Sequence, residues 1–134
     1  MTQTRRFKAA VVGGGPTDWT MLSATSDLPS FESALTGGAA WDATTRRLAD
    51  GRSPLVHAGS ITTPLLILHG QEDKRVPLHQ AVALHRALRN RGVPVELVTY
   101  PREPHAVHER RHQADILRRV RAWYDRWLLA EEGG

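Results

Sequence analysis

The stretch LLILHGQEDKRVP, residues 65–77, decides the fold of this chain. Its first part, Leu65–His69, lacks the alternating polar residues of a half-exposed strand, which is typical of a strand covered on both faces of a parallel sheet. Gly70 ends this strand, and Asp73 follows three residues later. We therefore predict a buried parallel strand that is followed by an acidic side chain just beyond its carboxyl end.

Elements of alternating type flank this strand. The short apolar run Phe7–Val12 ends in three glycines, Gly13 to Gly15, and predicts a first strand. Apolar residues at helical spacing, with Gly92 as the end signal, predict a helix over Leu78–Arg91. The β-branched run Val93–Tyr100 predicts a third strand.

A last helix is predicted over about Arg110–Leu129, where an apolar stripe recurs at helical spacing: Ile116, Val120, Trp123 and Trp127. Strands that alternate with helices call for parallel pairing and right-handed crossovers. The prediction is an α/β fold, with a short parallel sheet of about three strands flanked by helices.

Residues 16–60 separate the first two strands and are irregular, with short helical patterns at Trp19–Ala24 and Ala43–Ala49. We interpret them as an excursion that packs on the domain rather than as a linker, because their large apolar residues need burial. The residues expected to be buried are Trp19, Leu22, Phe31, Leu35 and Trp41.

Composition narrows the function classes. A chain of 134 residues suits a single domain. Without cysteine it has neither disulfides nor a thiolate metal site. The net charge of +4 comes from 16 arginines and two lysines spread along the chain, mostly beside acids at helical spacing, which favours a solvated arginine face over nucleic-acid binding.

No membrane partner is expected, since no apolar stretch approaches the roughly 20 residues that cross a bilayer. The apolar run near the amino terminus is interrupted by Lys8 and is too short for a signal peptide, which favours a cytoplasmic location.

Two polar clusters invite other interpretations. The histidines His105, His108 and His112, with Glu103 and Glu109, resemble a metal site, but no second ligand pair lies at a zinc-like spacing, so we favour polar residues at the start of an exposed helix. The triple glycine lacks both G-x-G-x-x-G and a P-loop lysine, so a strand-end turn is favoured over a phosphate site.

Two tryptophans and one arginine also allow more than one placement. Trp123 and Trp127 are expected in the core rather than in a ligand platform. Arg75, two residues after Asp73, either pairs with a carboxylate or lies in solvent, and the sequence does not rank these options.

Asp73 follows the second predicted strand and His105 follows the third. In an open parallel sheet, the loops after the carboxyl ends of the strands gather at one edge. A carboxylate that accepts from one imidazole nitrogen leaves the other nitrogen able to take a proton from a nucleophile. An Asp73–His105 acid–base pair is one interpretation, and ordinary turn or surface residues are the other.

A family resemblance bears on this choice. Residues 63–128 resemble the carboxyl-terminal end of the catalytic domain of the prolyl oligopeptidase family of serine peptidases, in its acylaminoacyl-peptidase-like branch. HGQEDKRVP, residues 69–77, matches the motif H-G-x-x-D-x-R-V-P, and YPREPH, residues 100–105, matches the motif around the family's histidine. Residues 7–32 resemble the segment after the nucleophile helix.

The resemblance implies an α/β-hydrolase fold and hydrolysis of peptides or acyl-peptides through an acyl-enzyme, with Asp73 as triad acid, His105 as triad base, and neither metal nor organic cofactor. The family's nucleophile lies in a G-x-S-x-G elbow, and the 134 residues contain no such motif. Residues 1–134 are therefore interpreted as a single partial peptidase domain, expected to be inactive alone.

Two hypotheses remain. In the first, the chain contributes Asp73 and His105 to an active site completed by upstream sequence. In the second, it is a non-catalytic α/β dimerisation or interaction module, or a decayed remnant. Because a missing neighbour leaves the apolar edge of Phe7–Val12 open, we expect a homodimer or association with a complementary amino-terminal fragment through this edge.

Overall fold

A computed structural model describes the chain over residues 1–39 and 41–129. Its three parallel strands, β1 (Ala10–Gly13), β2 (Leu65–Gly70) and β3 (Val95–Tyr100), lie in the order β1-β2-β3. The predicted α/β fold with a short parallel sheet is confirmed.

Both outer strands begin later than predicted, at Ala10 rather than Phe7 and at Val95 rather than Val93. The ladder starts where β2 starts, because Pro64 precedes β2 and has no N–H to donate. Ala10 and Val95 are the residues that lie opposite Leu65, the first residue of β2.

The core is built on the two faces of β2. One face packs on the helix after it through Leu65 and Ile67, together with Leu84 and Leu88. The other face packs through a second cluster, whose buried members are Leu66, Leu68, Tyr100 and Trp123. Alternate residues of one strand therefore fill two cores, which explains why its sequence is apolar without alternation.

The helices after β2 lie close to their predicted ranges. They are α4 (His79–Asn90) and α5 (Arg110–Tyr124), and the chain continues from α5 into a π-helical turn at Asp125–Leu129. The predicted stripe of α5 faces the second core: Trp123 is buried, and the partly buried Ile116, Val120 and Trp127 pack around it. None of the helices within the described ranges is long and apolar enough to cross a membrane.

The described part of the excursion forms three α-helices, α1 (Trp19–Thr25), α2 (Pro29–Thr36) and α3 (Ala43–Arg52), and a 3₁₀ turn at Ala58–Ser60. Of the three α-helices, α2 had no predicted counterpart. Leu22 is buried and Trp19 is partly buried.

Two burial predictions in the excursion are wrong. Leu35 is exposed, and Trp41 keeps 75% of its surface exposed. Small and polar residues close this region instead: Ala49 is buried, and the buried Ser53 hydroxyl accepts from the Trp19 N–H and donates to the Ala49 carbonyl. The prediction for Phe31 concerns a side chain outside the described part of the structure.

Candidate active site

The turn after β2 holds Asp73 in one orientation. Its Oδ1 accepts hydrogen bonds from the backbone N–H groups of Arg75, at 2.9 Å, and Val76, at 2.8 Å. The ring of His69 supports the same turn, because its Nε2 donates to the carbonyl of Val76 at 2.7 Å. The Asp73 side chain is only 1% exposed, so its position is fixed by protein groups rather than by water.

The second oxygen of this carboxylate meets His105. Asp73 Oδ2 lies 2.8 Å from His105 Nδ1, and the imidazole is 45% exposed. Because a carboxylate oxygen only accepts, Nδ1 carries the hydrogen of this bond, and in the neutral ring Nε2 is left as a proton acceptor. The structure thus brings together the two residues that the sequence singled out, a buried acid and an accessible imidazole.

Gly70 permits this approach. A Cβ at Gly70 would overlap the carbonyl oxygens of Glu103 and Pro104 and lie 2.9 Å from the carbonyl carbon of Glu103. The two segments are also hydrogen-bonded, since Gln71 N donates to Tyr100 O at 2.9 Å and Glu72 N to Glu103 O at 3.0 Å. The turn after β2 and the loop after β3 are therefore one packed unit.

Gly14 is a site residue that the sequence reasoning missed. Gly13 is the last residue of β1, and the chain bends at Gly14, which has a φ of 55°. A Cβ there would lie 3.0 Å from His105 Cε1, 3.1 Å from its Nδ1 and 3.6 Å from Asp73 Oδ2. Gly14 thus forms the surface against which the imidazole packs, a role that a strand-end glycine does not reveal without its neighbours.

The polar cluster after β3 differs from its predicted exposed arrangement. Glu103 is buried, and the side chain of His112 is only 12% exposed. The expectation of an exposed helix start is therefore wrong for these two residues, because the loop folds back over β3 and covers them. Glu103 and His112, with Glu109, place a ligand atom each within 4.8 Å of one another, whereas His105 and His108 lie outside this group.

Hydrogen bonds already occupy the oxygens of Glu103. Oε2 accepts from His108 N at 2.8 Å, and Oε1 accepts from Glu109 N at 2.9 Å and from His112 Nδ1 at 2.7 Å. Burial opposes ionisation of this carboxyl, but these bonds outweigh it and lower the pKa of Glu103 to about 2. The geometry is that of a hydrogen-bonded carboxylate rather than of a vacant ligand set.

Cavities lie on two sides of His105. One, of about 400 Å³, is mainly apolar, and its walls are Gly14, Pro16, Trp19, Leu22, Leu28, Arg75, Val76 and His105. The other, of about 510 Å³, is more polar and includes Asp27, Glu72, Lys74 and His108. Arg75 borders both, and its Nε donates to Asp27 Oδ1 at 2.7 Å, which answers the question of its partner left open by the sequence.

Gln80 holds one wall of the apolar cavity and is a second residue, after Gly14, whose role the sequence did not indicate. Its side chain is buried, and its Oε1 accepts from Thr17 N at 2.9 Å and from Asp18 N at 2.7 Å. Its Nε2 donates to Asp18 O at 3.1 Å. This network fixes the segment between β1 and α1 to the start of α4, so the position of Pro16 and Trp19 depends on it.

Comparison with known proteins assigns a family. The model of the prolyl oligopeptidase family matches residues 1–131. An uncharacterized peptidase of Bacillus subtilis, YuxL, is 36% identical over 129 residues, covering 94% of this chain and 20% of the relative. The human acylamino-acid-releasing enzyme is 40% identical over 72 residues, which is 54% of this chain and 10% of the enzyme.

Solved structures agree in fold. An acylaminoacyl peptidase of Pyrococcus horikoshii matches 99% of this chain with a TM-score of 0.84 and 27% identity, and a puromycin-hydrolyzing peptidase of Mycobacterium tuberculosis matches 95% with a TM-score of 0.85 and 30% identity. This chain covers 22% and 19% of those two chains. The three-stranded sheet with its helices therefore corresponds to part of a much larger peptidase, the carboxyl-terminal part of its α/β-hydrolase domain.

Proposed function

The chain belongs to the prolyl oligopeptidase family, and we propose that it supplies the acid and the base of a serine peptidase active site whose nucleophile lies outside these 134 residues. The observation that carries this proposal is the hydrogen bond between the buried Asp73 and the accessible His105. The absence of a G-x-S-x-G sequence from the chain leads us to look for the serine elsewhere.

The proposed chemistry follows from the two nitrogens of His105. Nε2 takes the proton of the serine hydroxyl as the oxygen attacks the peptide carbonyl, and then gives it to the leaving amine. Asp73 accepts from Nδ1–H throughout, which keeps the ring in the required tautomer and stabilises the imidazolium formed during attack. The two backbone N–H bonds to Oδ1 keep the carboxylate oriented.

The proposed substrates are peptides or acyl-peptides. Relatives of this chain include an acylamino-acid-releasing enzyme and a puromycin-hydrolyzing peptidase, which supports this class. The apolar cavity beside His105 supports binding of an apolar substrate side chain there, since Trp19, Leu22 and Leu28 border it. No metal or organic cofactor is part of the proposed reaction.

The experiment compares the chain alone with the chain in a complete peptidase. The 134 residues replace the matching 20% of the Bacillus subtilis relative, and hydrolysis of a chromogenic peptide is measured. We expect no turnover by the chain alone, turnover by the chimera, and a loss of about 10⁴-fold or more in the chimera with His105→Ala.

Two results would contradict the proposal. One is turnover by the pure 134-residue chain that His105→Ala abolishes, because the serine would then lie within it. The other is a folded, active chimera whose rate is unchanged by His105→Ala.

We further propose that the outer edge of β1 pairs with another strand, either of a second copy or of a complementary amino-terminal fragment. Ala10–Gly13 pairs with β2 on one side, and no strand of the described residues lies on the other. An open apolar edge tends to pair. Sedimentation of the chain alone is expected to show dimers or larger species, and a monodisperse monomer would contradict pairing between copies.

A further inference from the structure

We infer that Glu103 is a positioning residue for His105, because its buried carboxylate closes the base of the loop that carries the imidazole. The inference rests on the proposed role of His105 as general base. It adds a residue to the site that neither touches the substrate cavities nor reaches the reacting atoms.

The loop begins at Glu103 and returns to it. His105 lies two residues further along the chain, and the backbone N–H groups of His108 and Glu109 then donate back to the Glu103 carboxylate at 2.8 and 2.9 Å. The ring of His112, in the first turn of α5, adds a third bond at 2.7 Å. His105 is thus held on a short closed loop whose two ends are joined by one side chain.

Burial makes this closure stronger than the other side-chain bonds of the loop. Glu103 is 1% exposed, so water does not compete for its oxygens. Among the other side-chain bonds of the loop within the described residues, that from His105 to Asp73 is partly buried. Those from Arg102 and Arg111 to Glu109 and from Gln113 to Val107 involve exposed groups. Arg102 has a φ of 65°, a left-handed conformation that persists only where the surroundings enforce it.

The loop is also anchored to the acid of the pair. The Glu103 carbonyl accepts from the N–H of Glu72, the residue before Asp73. Glu103 therefore joins three parts through its own atoms: the turn of Asp73 through its carbonyl, and the far end of the His105 loop and the start of α5 through its carboxylate. A shift of this residue changes the Asp73–His105 distance directly.

Only a carboxylate can accept all three hydrogen bonds at the position of the Glu103 side chain. All three partners of the Glu103 side chain are donors, and a carboxylate presents acceptors on both oxygens. In Glu103→Gln, either orientation of the amide turns an NH₂ group toward at least one backbone N–H. Glu103→Gln keeps the shape of the side chain but breaks the hydrogen bonds that close the loop, which makes it the appropriate variant.

The test measures the tautomer of His105 in the 134-residue chain by long-range ¹H–¹⁵N correlation NMR, with the pH raised until the ¹⁵N shifts of the ring report its neutral form. Wild type is expected to show a single Nδ1–H tautomer. Glu103→Gln is expected to lose it and show both tautomers, and His112→Leu, which removes one of the three donors, to lose it in part. Glu96→Gln, the same change on exposed β3 surface, is the matched control and is expected to resemble wild type.

The variants distinguish a failure of this inference from a failure of the proposed function. Asp73→Asn is expected to abolish the single tautomer; if it does not, or if wild type shows a mixture, the Asp73–His105 pair fails and the inference falls with it. If Asp73→Asn acts as expected while Glu103→Gln, still folded, keeps the wild-type tautomer, Glu103 is not a positioning residue. Should Glu103→Gln not fold, an unchanged tautomer in folded His112→Leu would overturn the inference equally.

Discussion

Gly70→Ala is expected to destabilise the chain and to separate His105 from Asp73. The added Cβ overlaps two backbone carbonyl oxygens, of Glu103 and Pro104, and neither is the movable end of a side chain. The turn after β2 and the loop after β3 must therefore move apart by about 1 Å, and overpacking of this kind costs roughly 1–3 kcal/mol. For a chain of this size the melting temperature is expected to fall by roughly 3–12 °C.

Urea unfolding and the His105 tautomer are the two readouts, and two glycines provide controls. Gly51→Ala meets no atom within 4 Å and is expected to be neutral or to stabilise by up to about 1 kcal/mol. Gly92→Ala also meets no atom within 4 Å but has a φ of 73°, so it is expected to cost about 1 kcal/mol without changing His105. A Gly70→Ala protein with the urea midpoint and His105 tautomer of wild type would refute the reasoning.

Three further results are expected. Gly14→Ala should displace His105 and remove its single tautomer, because the Cβ would lie 3.0 Å from Cε1; unchanged His105 resonances would count against this contact. The Glu103 carboxyl has a pKa of about 2 against an ordinary 4.5, so it should stabilise the fold fully above about pH 4.5 and progressively less as the pH falls toward 2. The melting temperatures of wild type and Glu103→Gln should therefore converge in acid. A difference that stays constant with pH would contradict this role of the carboxylate. Leu88→Ala, at a fully buried position, should cost about 2–5 kcal/mol in urea unfolding, and a loss below about 1 kcal/mol would mean that the site collapses or is not core.

The parts of the fold that the sequence predicted are those with a local signal. β2 has an uninterrupted apolar run, and the stripe of α5 repeats at helical spacing, so both were found nearly at their observed bounds. Asp73 and His105 were found because each follows a strand at the same edge of the sheet. The late starts of β1 and β3 depend on the proline before β2 and on the register of the ladder, which a single strand does not reveal.

The supporting residues of the site were not predictable in the same way. Glu103 and His112 resemble surface residues in the sequence, and their burial arises only when the loop after β3 folds back. Gly14 supports His105 from 91 positions away in the sequence, and Gln80 holds Thr17 across 63 positions. The exposed Trp41 shows the converse: hydrophobicity alone predicts burial only when a neighbouring surface is available to cover the side chain.

The most direct test of the central claim is the rate of the active chimera with Asp73→Asn. This change keeps the size of the side chain but replaces the carboxyl group with an amide, so the His105 ring loses its enforced tautomer. We predict a fall in kcat of about 10⁴-fold for Asp73→Asn. Asp125→Asn, in the exposed π-helical turn after α5, is the control and is expected to keep the rate of the unmodified chimera. A fall of less than about 10-fold in a folded protein would contradict the account, because Asp73 would then not be the acid that orients the base.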